Sequence, residues 1–341
     1  MDTNQTKLGS GFRWLNATQF LGALNDNVFK LLIILFLIKL QGEEQASNIT
    51  ALSGAVFVVP FLVFTAFAGK LADRFSKRNI VVAVKVAEVV IMAAGCAAFA
   101  AGNQVALYGV LFLMAAQSAF FAPSKYGIVP ELVAREHLSR ANGVLEAMTY
   151  LAVIIGVACG SGLSQVTGGR FAIAGVVCVA VAMVGLVVSL SIPKTPAAGG
   201  GGKASILFVK DIQRTLWSIH RKRDLLLAVL AAAYFLLIGA FIYVNLIPYG
   251  IEQLKLNEDQ SGYLFLLAAI GIGVGAFWAG RLSGRHVELG VVPLGAIGLA
   301  FSSAGLGLIS GNLYLAFGLI FLMGLSAGLF IVPVHAYIQL R

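Results

Sequence analysis

Charge is what this sequence has least of. Its 24 Lys and Arg and 15 Asp and Glu make up 11% of 341 residues, while 59% of the residues are hydrophobic. A soluble domain carries about 25% charged residues, so an ordinary water-soluble fold is excluded and a multi-spanning membrane protein is expected. Cysteine is scarce too. Cys96, Cys159 and Cys178 all fall within apolar stretches, which argues against a disulfide framework and a zinc site. No serine elbow, metal-ligand cluster or phosphate-binding loop is present. The run Gly271, Gly273, Gly275 follows no strand and reads as helix packing. No cofactor and no metal are expected. The net charge of +9 does not point to nucleic acid, because the basic residues lie in short loops between apolar spans. There they act as orientation signals and as anchors to anionic lipid heads. Leu31 to Ile38 resembles a signal-peptide core, but no small-residue cleavage site follows, so it reads as a retained helix.

Apolar spans long enough to cross ~30 Å of hydrocarbon lie at about 14–40, 49–71, 79–101, 104–125, 142–165 and 168–192. Four more follow at about 225–248, 259–281, 286–309 and 312–338. The organisation expected is an N-terminal six-helix bundle over 1–192, a linker over 193–224 and a second bundle over 225–341 with four helices. The linker opens with Pro193, Pro196 and four consecutive glycines from Gly199, which do not hold a helix. It continues into Ile206, Leu207, Val209, Ile212, Leu216, Trp217 and Ile219, interleaved with five bases. That pattern fits an amphipathic helix on the cytoplasmic face or a solvated linker.

Lys and Arg fall unevenly on the two sides. With the N-terminus inside, the cytoplasmic loops hold Lys70, Arg74, Lys77 and Arg78, then Lys125, Arg135 and Arg140, seven bases from Lys194 to Arg223, and Arg281 and Arg285. The opposite loops hold Lys39, Arg170 and Lys255. The positive-inside rule then places the N-terminus in the cytoplasm, in a bacterial-type inner membrane.

Polar groups concentrate where an apolar span should be plainest, in Gly22-Ala23-Leu24-Asn25-Asp26-Asn27-Val28-Phe29-Lys30. Asn25, Asp26 and Asn27 fan over roughly 200° of a helix, and Lys30 shares a face with Asp26 four residues before it. Each charge near the bilayer centre costs at least ~2.5 kcal/mol. The polar side therefore faces other helices or a water-filled cavity, with the charges paired. It is either a polar site in a transport pathway or a hydrogen-bond cluster between helices.

A repeat links the two halves. Gly69-Lys70-Leu71-Ala72-Asp73-Arg74-Phe75-Ser76-Lys77-Arg78 closes span two, and Gly280-Arg281-Leu282-Ser283-Gly284-Arg285 closes span eight. Recurrence at matching places is the mark of two related bundles in a transporter. The first block resembles the loop between helices two and three of the major facilitator superfamily, through Gly69, Leu71, Asp73, Arg74 and Arg78. The resemblance implies that Asp73, Arg74 and Arg78 form a conformational latch during alternating access. A local reason also exists: Gly69 allows close helix approach and the bases hold the loop at the headgroups.

Leu24-Asn25-Asp26-Asn27-Val28-Phe29-Lys30, Pro123-Ser124-Lys125-Tyr126-Gly127-Ile128 and Arg140-Ala141-Asn142-Gly143-Val144-Leu145-Glu146-Ala147 are similar to the lysophospholipid transporter family. The resemblance implies an all-α, two-bundle transporter of lysophosphatidylethanolamine-like lipids, moving them to the cytoplasmic leaflet for reacylation by an acyltransferase partner or fused domain. It also implies twelve helices. About ten are present here, so a C-terminally incomplete chain is expected. The substrate residues implied or suggested are Asn25, Asp26, Asn27, Lys30, Lys125, Asn142 and Glu146. Lys30 would suit a phosphate, and Asp26 or Glu146 an ammonium. Phe and Leu residues of spans one, two, four and seven would wall the acyl chain. The alternative within the same fold is an exporter of drugs or other hydrophobic solutes.

Other polar positions are open to bland readings. Glu146, one turn after Asn142, either pairs structurally or meets substrate. Lys85 and Glu88 are spaced to pair with each other. Gln117 and Asn245 line a cavity or bond neighbouring helices, and His335 fits an interfacial position better than a proton relay. Catalysis is not expected: His220 and Asp224 have the wrong spacing for a lysolipid acyltransferase and sit in the basic linker.

Overall fold

With no water in hydrocarbon to satisfy backbone groups, long apolar segments close their hydrogen bonds internally as helices. The computed structural model describes residues 8–197, 222–256, 258–283, 288–309 and 311–340. Ten long helices run through them: α1 Ser10–Gln41, α2 Ala46–Arg74, α3 Lys77–Ala101, α4 Gln104–Leu132, α5 Leu138–Val166, α6 Phe171–Leu190, α7 Arg223–Glu252, α8 Glu258–Leu282, α9 Val291–Leu308 and α10 Leu313–Leu340. Nine helices in the described residues are long and apolar enough to span a bilayer by length and composition. The 30-residue α7 is the tenth long one. The segment from Ile206 to Ile219, expected as an amphipathic helix or solvated linker, lies outside the described residues, as do Gly284 and Arg285.

Several helices outrun their apolar spans. α2 continues through Asp73 to Arg74, α4 through Pro123 and Pro130 to Leu132, and α5 begins at Leu138 rather than at 142. A 29-residue helix is about 44 Å long, well beyond ~30 Å of hydrocarbon. Charged residues thus end the apolar run without ending the helix.

Two compact units emerge. Unit one comprises residues 1–132 and 152–212, and unit two comprises 133–151 and 213–341. The first half of α5 groups with unit two and its second half with unit one. In unit one, α2 packs on α4, α3 on α4 and α6, and α1 on α4 and α6. Its core holds Phe29, Leu32, Ile33 and Leu37 of α1 with Met92 of α3 and Leu107, Leu111 and Met114 of α4. Phe29 lies where a methyl at Gly95 would have to be. In unit two, α10 packs on α7, α8 and α9. The α8–α10 contact is built from small residues. Cβ atoms at Gly271 and Gly275 would strike Phe321 O and Leu325 O, and those at Gly324 and Gly328 would strike Ala268 O and Ala276 N. Lipid supplies no hydrophobic drive between helices, so close backbone approach of this kind holds them together.

Candidate functional site

Unit one carries a polar network across α1, α3 and α4. Asn25 Nδ2 donates to Glu88 Oε1 at 3.2 Å, and Lys85 Nζ donates to Glu88 Oε2 at 2.5 Å. Both charged side chains are buried, with 3% and 1% of their surface exposed. The Lys85 ammonium occupies the place of a Cβ at Gly22, which is why glycine opens the polar stretch. Lys85 and Glu88 therefore pair with each other, one turn apart.

Asp26 is half-buried against α4: Ser118 Oγ donates to its Oδ2 at 2.6 Å, and Gln117 Nε2 donates to Ser118 Oγ at 3.0 Å. The pairing of Asp26 with Lys30 expected from their spacing is absent. Lys30 Nζ lies 4.9 Å from the centre of the Phe57 ring on α2, without an ion pair to Asp26 among the described residues. A neutral hydroxyl and an aromatic face take the places of the mutual counter-charges. Asn27 donates to Ala23 O at 2.7 Å within its own helix, and its Cβ is where Gly156 of α5 lets the two helices meet. Lys125, 8% exposed, lies with Nζ 4.5 Å from the Tyr126 ring centre.

The remaining expected substrate residues belong to unit two. Asn142 and Gln339 exchange amide hydrogen bonds at 2.8 and 2.9 Å, and Asn142 also donates to Leu138 O at 2.9 Å. Glu146 Oε1 lies 3.7 Å from His335 Nδ1. Gly143 and Gly280 let α5 and α8 cross closely, a Cβ at Gly143 falling 3.0 Å from Gly280 Cα. Unit two also holds an apolar cavity of about 510 Å³ between α7, α9 and α10. Phe241, Leu299 and Phe330 line it, with Asn245, Tyr249 and Ser303 the polar members. Asn245 donates to Phe241 O of its own helix. Of the spans expected to wall an acyl chain, only span seven contributes here.

The latch residues are dispersed. A Cβ at Gly69 meets nothing within 4 Å, so the close approach expected there is missing; its repeat partner Gly280 has one instead. Asp73 and Arg74 are exposed at the end of α2. Asp73 forms no ion pair among the described residues. An exposed carboxylate needs no partner. Arg74 lies 5.5 Å from the Phe75 ring centre. Arg78 reaches the end of α6, donating to Leu190 O at 3.0 Å and Ile192 O at 3.3 Å, where a cation complements the free carbonyls. An ion pair at this end of unit one joins Lys77 and Glu131 at 2.5 Å.

Ser118, Gln339 and Glu131 are members that sequence reasoning missed. A serine or glutamine in an apolar helix carries no pattern, and Glu131 has Arg135 four residues on but pairs with Lys77, 54 residues before it. Ser118 alone had an adjacent signal, Gln117.

Several known proteins are similar to this chain. The lysophospholipid transporter LplT of Klebsiella pneumoniae is 27% identical over 345 residues, covering 99% of this chain and 82% of the relative. The protein of that name from Citrobacter koseri is 29% identical over 346 residues, with the same 99% and 82% coverage. Among solved structures, the human organic anion transporter MFSD10 superposes with a TM-score of 0.77 at 15% identity, over 96% of this chain and 86% of that one. The E. coli fucose:proton symporter FucP gives 0.74 at 17% identity, over 96% and 83%. At such identities the superpositions establish fold alone. A sequence profile of the Major Facilitator Superfamily matches residues 15–341, and the chain belongs to that superfamily, a multi-pass membrane transporter and not an enzyme.

Proposed function

We propose that the protein moves lysophospholipids of the lysophosphatidylethanolamine kind across a bacterial-type inner membrane. The direction proposed is towards the cytoplasmic leaflet, where an acyltransferase restores the second chain. The carrying observation is the long similarity to relatives named lysophospholipid transporters, covering 99% of this chain. Chemistry supports it. α1 carries a carboxylate at Asp26, bonded to a neutral hydroxyl, and an ammonium at Lys30 over an aromatic ring; the two are not in contact with each other, so neither charge has the other as its direct partner. Phe57 supplies an apolar face beside the ammonium. In this reading Asn25, Asp26, Asn27, Lys30 and Lys125 serve the headgroup from the N-terminal bundle of residues 1–192. Asn142 and Glu146 serve it from α5, and the bundle of 225–341 closes the pathway by alternating access. Gly69, Asp73, Arg74 and Arg78 form the latch, with the N-terminus in the cytoplasm.

The test is uptake into proteoliposomes, comparing lysophosphatidylethanolamine with hydrophobic cations. Transport of the lysolipid at rates above protein-free vesicles is expected. Export of the cations without lysolipid movement would favour a drug exporter and refute the proposal.

A further inference from the structure

We propose that Gln339 and His335 of α10 are stand-ins for the substrate, holding Asn142 and Glu146 of α5 until a lysophospholipid headgroup displaces them. Asn142 and Glu146 are headgroup residues in the transport reading, on which this rests. Two rungs join α5 to α10 within unit two. Asn142 meets Gln339; one turn further along α5, Glu146 meets His335, one turn back along α10. Both α5 residues assigned to the headgroup are thus already engaged by α10.

On the first rung the donors are fully spent. A primary amide has two N–H groups, and Asn142 gives them to Leu138 O at 2.9 Å and Gln339 Oε1 at 2.8 Å. Its Oδ1 accepts from Gln339 Nε2 at 2.9 Å. Asn142 has no exposed surface, so a phosphate oxygen reaches its N–H only by taking the place of Gln339 Oε1. The bond to Leu138 O lies within α5 and does not obstruct the exchange. Phosphate is the better acceptor, because a hydrogen bond to an ionised group is roughly twice as strong as a neutral one.

The second rung is looser. His335 Nδ1 stands 3.7 Å from Glu146 Oε1, beyond hydrogen-bond length. An ammonium is a compact cation with three donors, and it closes on the same carboxylate as an ion pair. Residues four apart on a helix have Cβ atoms about 5–6 Å apart, near enough for one headgroup to touch both. The rungs match an ethanolamine phosphate in kind, with an amide donor for the phosphate and a carboxylate for the ammonium.

Substrate and α10 therefore compete for the same two side chains. A ligand shifts a conformational equilibrium only by its difference in affinity between the states. Here that difference is built in, because the headgroup binds α5 only with the α10 side chains withdrawn. Displacing them weakens apparent binding by the fraction of molecules that are competent, and removing them should strengthen it.

The experiment measures initial uptake rates into proteoliposomes of the purified full chain against lipid concentration. It uses lysophosphatidylethanolamine and a lysophospholipid with a glycerol headgroup, which has no ammonium. Gln339→Met should lower the half-saturating concentration of both lipids about three- to tenfold. His335→Phe should lower it for the ammonium lipid alone. The Tm of Gln339→Met should fall as well; tighter apparent binding in a less stable protein is what a contact serving packing alone does not produce. If Gln339→Met does not reconstitute, His335→Phe carries the test through its headgroup split. Unchanged or raised half-saturation in either reconstituted variant, with normal uptake by the parent, would overturn the proposal and reduce the rungs to helix packing, leaving the transport reading standing. No uptake by the parent would refute the transport reading and the competition together.

Discussion

Lys85 and Glu88 offer a quantitative test of how unit one is held together. Two unit charges ~4 Å apart at an effective dielectric constant of about 20 attract by about 4 kcal/mol, and removing one member of a buried pair costs about 3–5 kcal/mol. In Lys85→Met the Glu88 carboxylate retains the Asn25 amide, a bond to a charged group worth about 1.5–3 kcal/mol, so a loss near 3 kcal/mol is expected. In Glu88→Gln the Lys85 ammonium retains the Phe121 ring, 5.4 Å from its centre, worth about 0.5–2 kcal/mol; the loss should be nearer 4 kcal/mol. The double change leaves no charge behind and should lose about 1–2 kcal/mol, a coupling of several kcal/mol in the cycle. Equilibrium unfolding in mixed micelles, followed by tryptophan fluorescence, reads all four proteins. Losses that simply add would refute the view that each charge is there to neutralise the other.

Asp26→Asn and Lys30→Met should each reduce lysolipid uptake, and because the two side chains are not in contact the double change should not recover it; recovery in the uptake assay would restore them as an ion pair. Gly22→Ala places a methyl on the Lys85 ammonium and should destabilise the chain by about 1–3 kcal/mol, read from the same unfolding curves. Gly69→Leu meets nothing within 4 Å and replaces a helix-interior glycine, so stability should hold or rise by up to about 1 kcal/mol, while transport slows because the proposed latch closes against the added side chain. Arg78→Ala removes two hydrogen bonds from the end of α6 and should cost about 1–2 kcal/mol, detected as a lower Tm.

Helix number and order were legible because the bilayer imposes length and apolarity on each span, and the basic loops marked where spans end. Helix ends were less so: hydropathy stops at Lys125, but α4 runs on to Leu132, since a helix leaving hydrocarbon needs only water or headgroups to continue. The polar stretch in α1 announced itself as a site for interhelical contact, and the three-residue spacing announced Lys85–Glu88. The spacing of Asp26 and Lys30 misled, because a shared helix face permits contact without compelling it. Gln339 had no local signature and Ser118 only its neighbour Gln117, since their meaning arises from partners 197 and 92 residues away in sequence.

The Asp26–Ser118 hydrogen bond has a timetable. Its members are 92 residues apart, and at about 5–20 residues per second of synthesis α1 precedes its partner in α4 by roughly 5–20 s. Glu88, the acceptor for Asn25, follows after 63 residues, but it arrives already matched to Lys85 on its own helix. α3 can thus enter the membrane neutral, whereas α1 enters carrying an acid and a base whose final neighbours do not yet exist. The first helix made is therefore satisfied only once the fourth has been made. Its retention during biogenesis rests on Lys30 one turn away as a temporary counter-charge, or on a membrane-insertion machinery that holds α1 until α4 emerges.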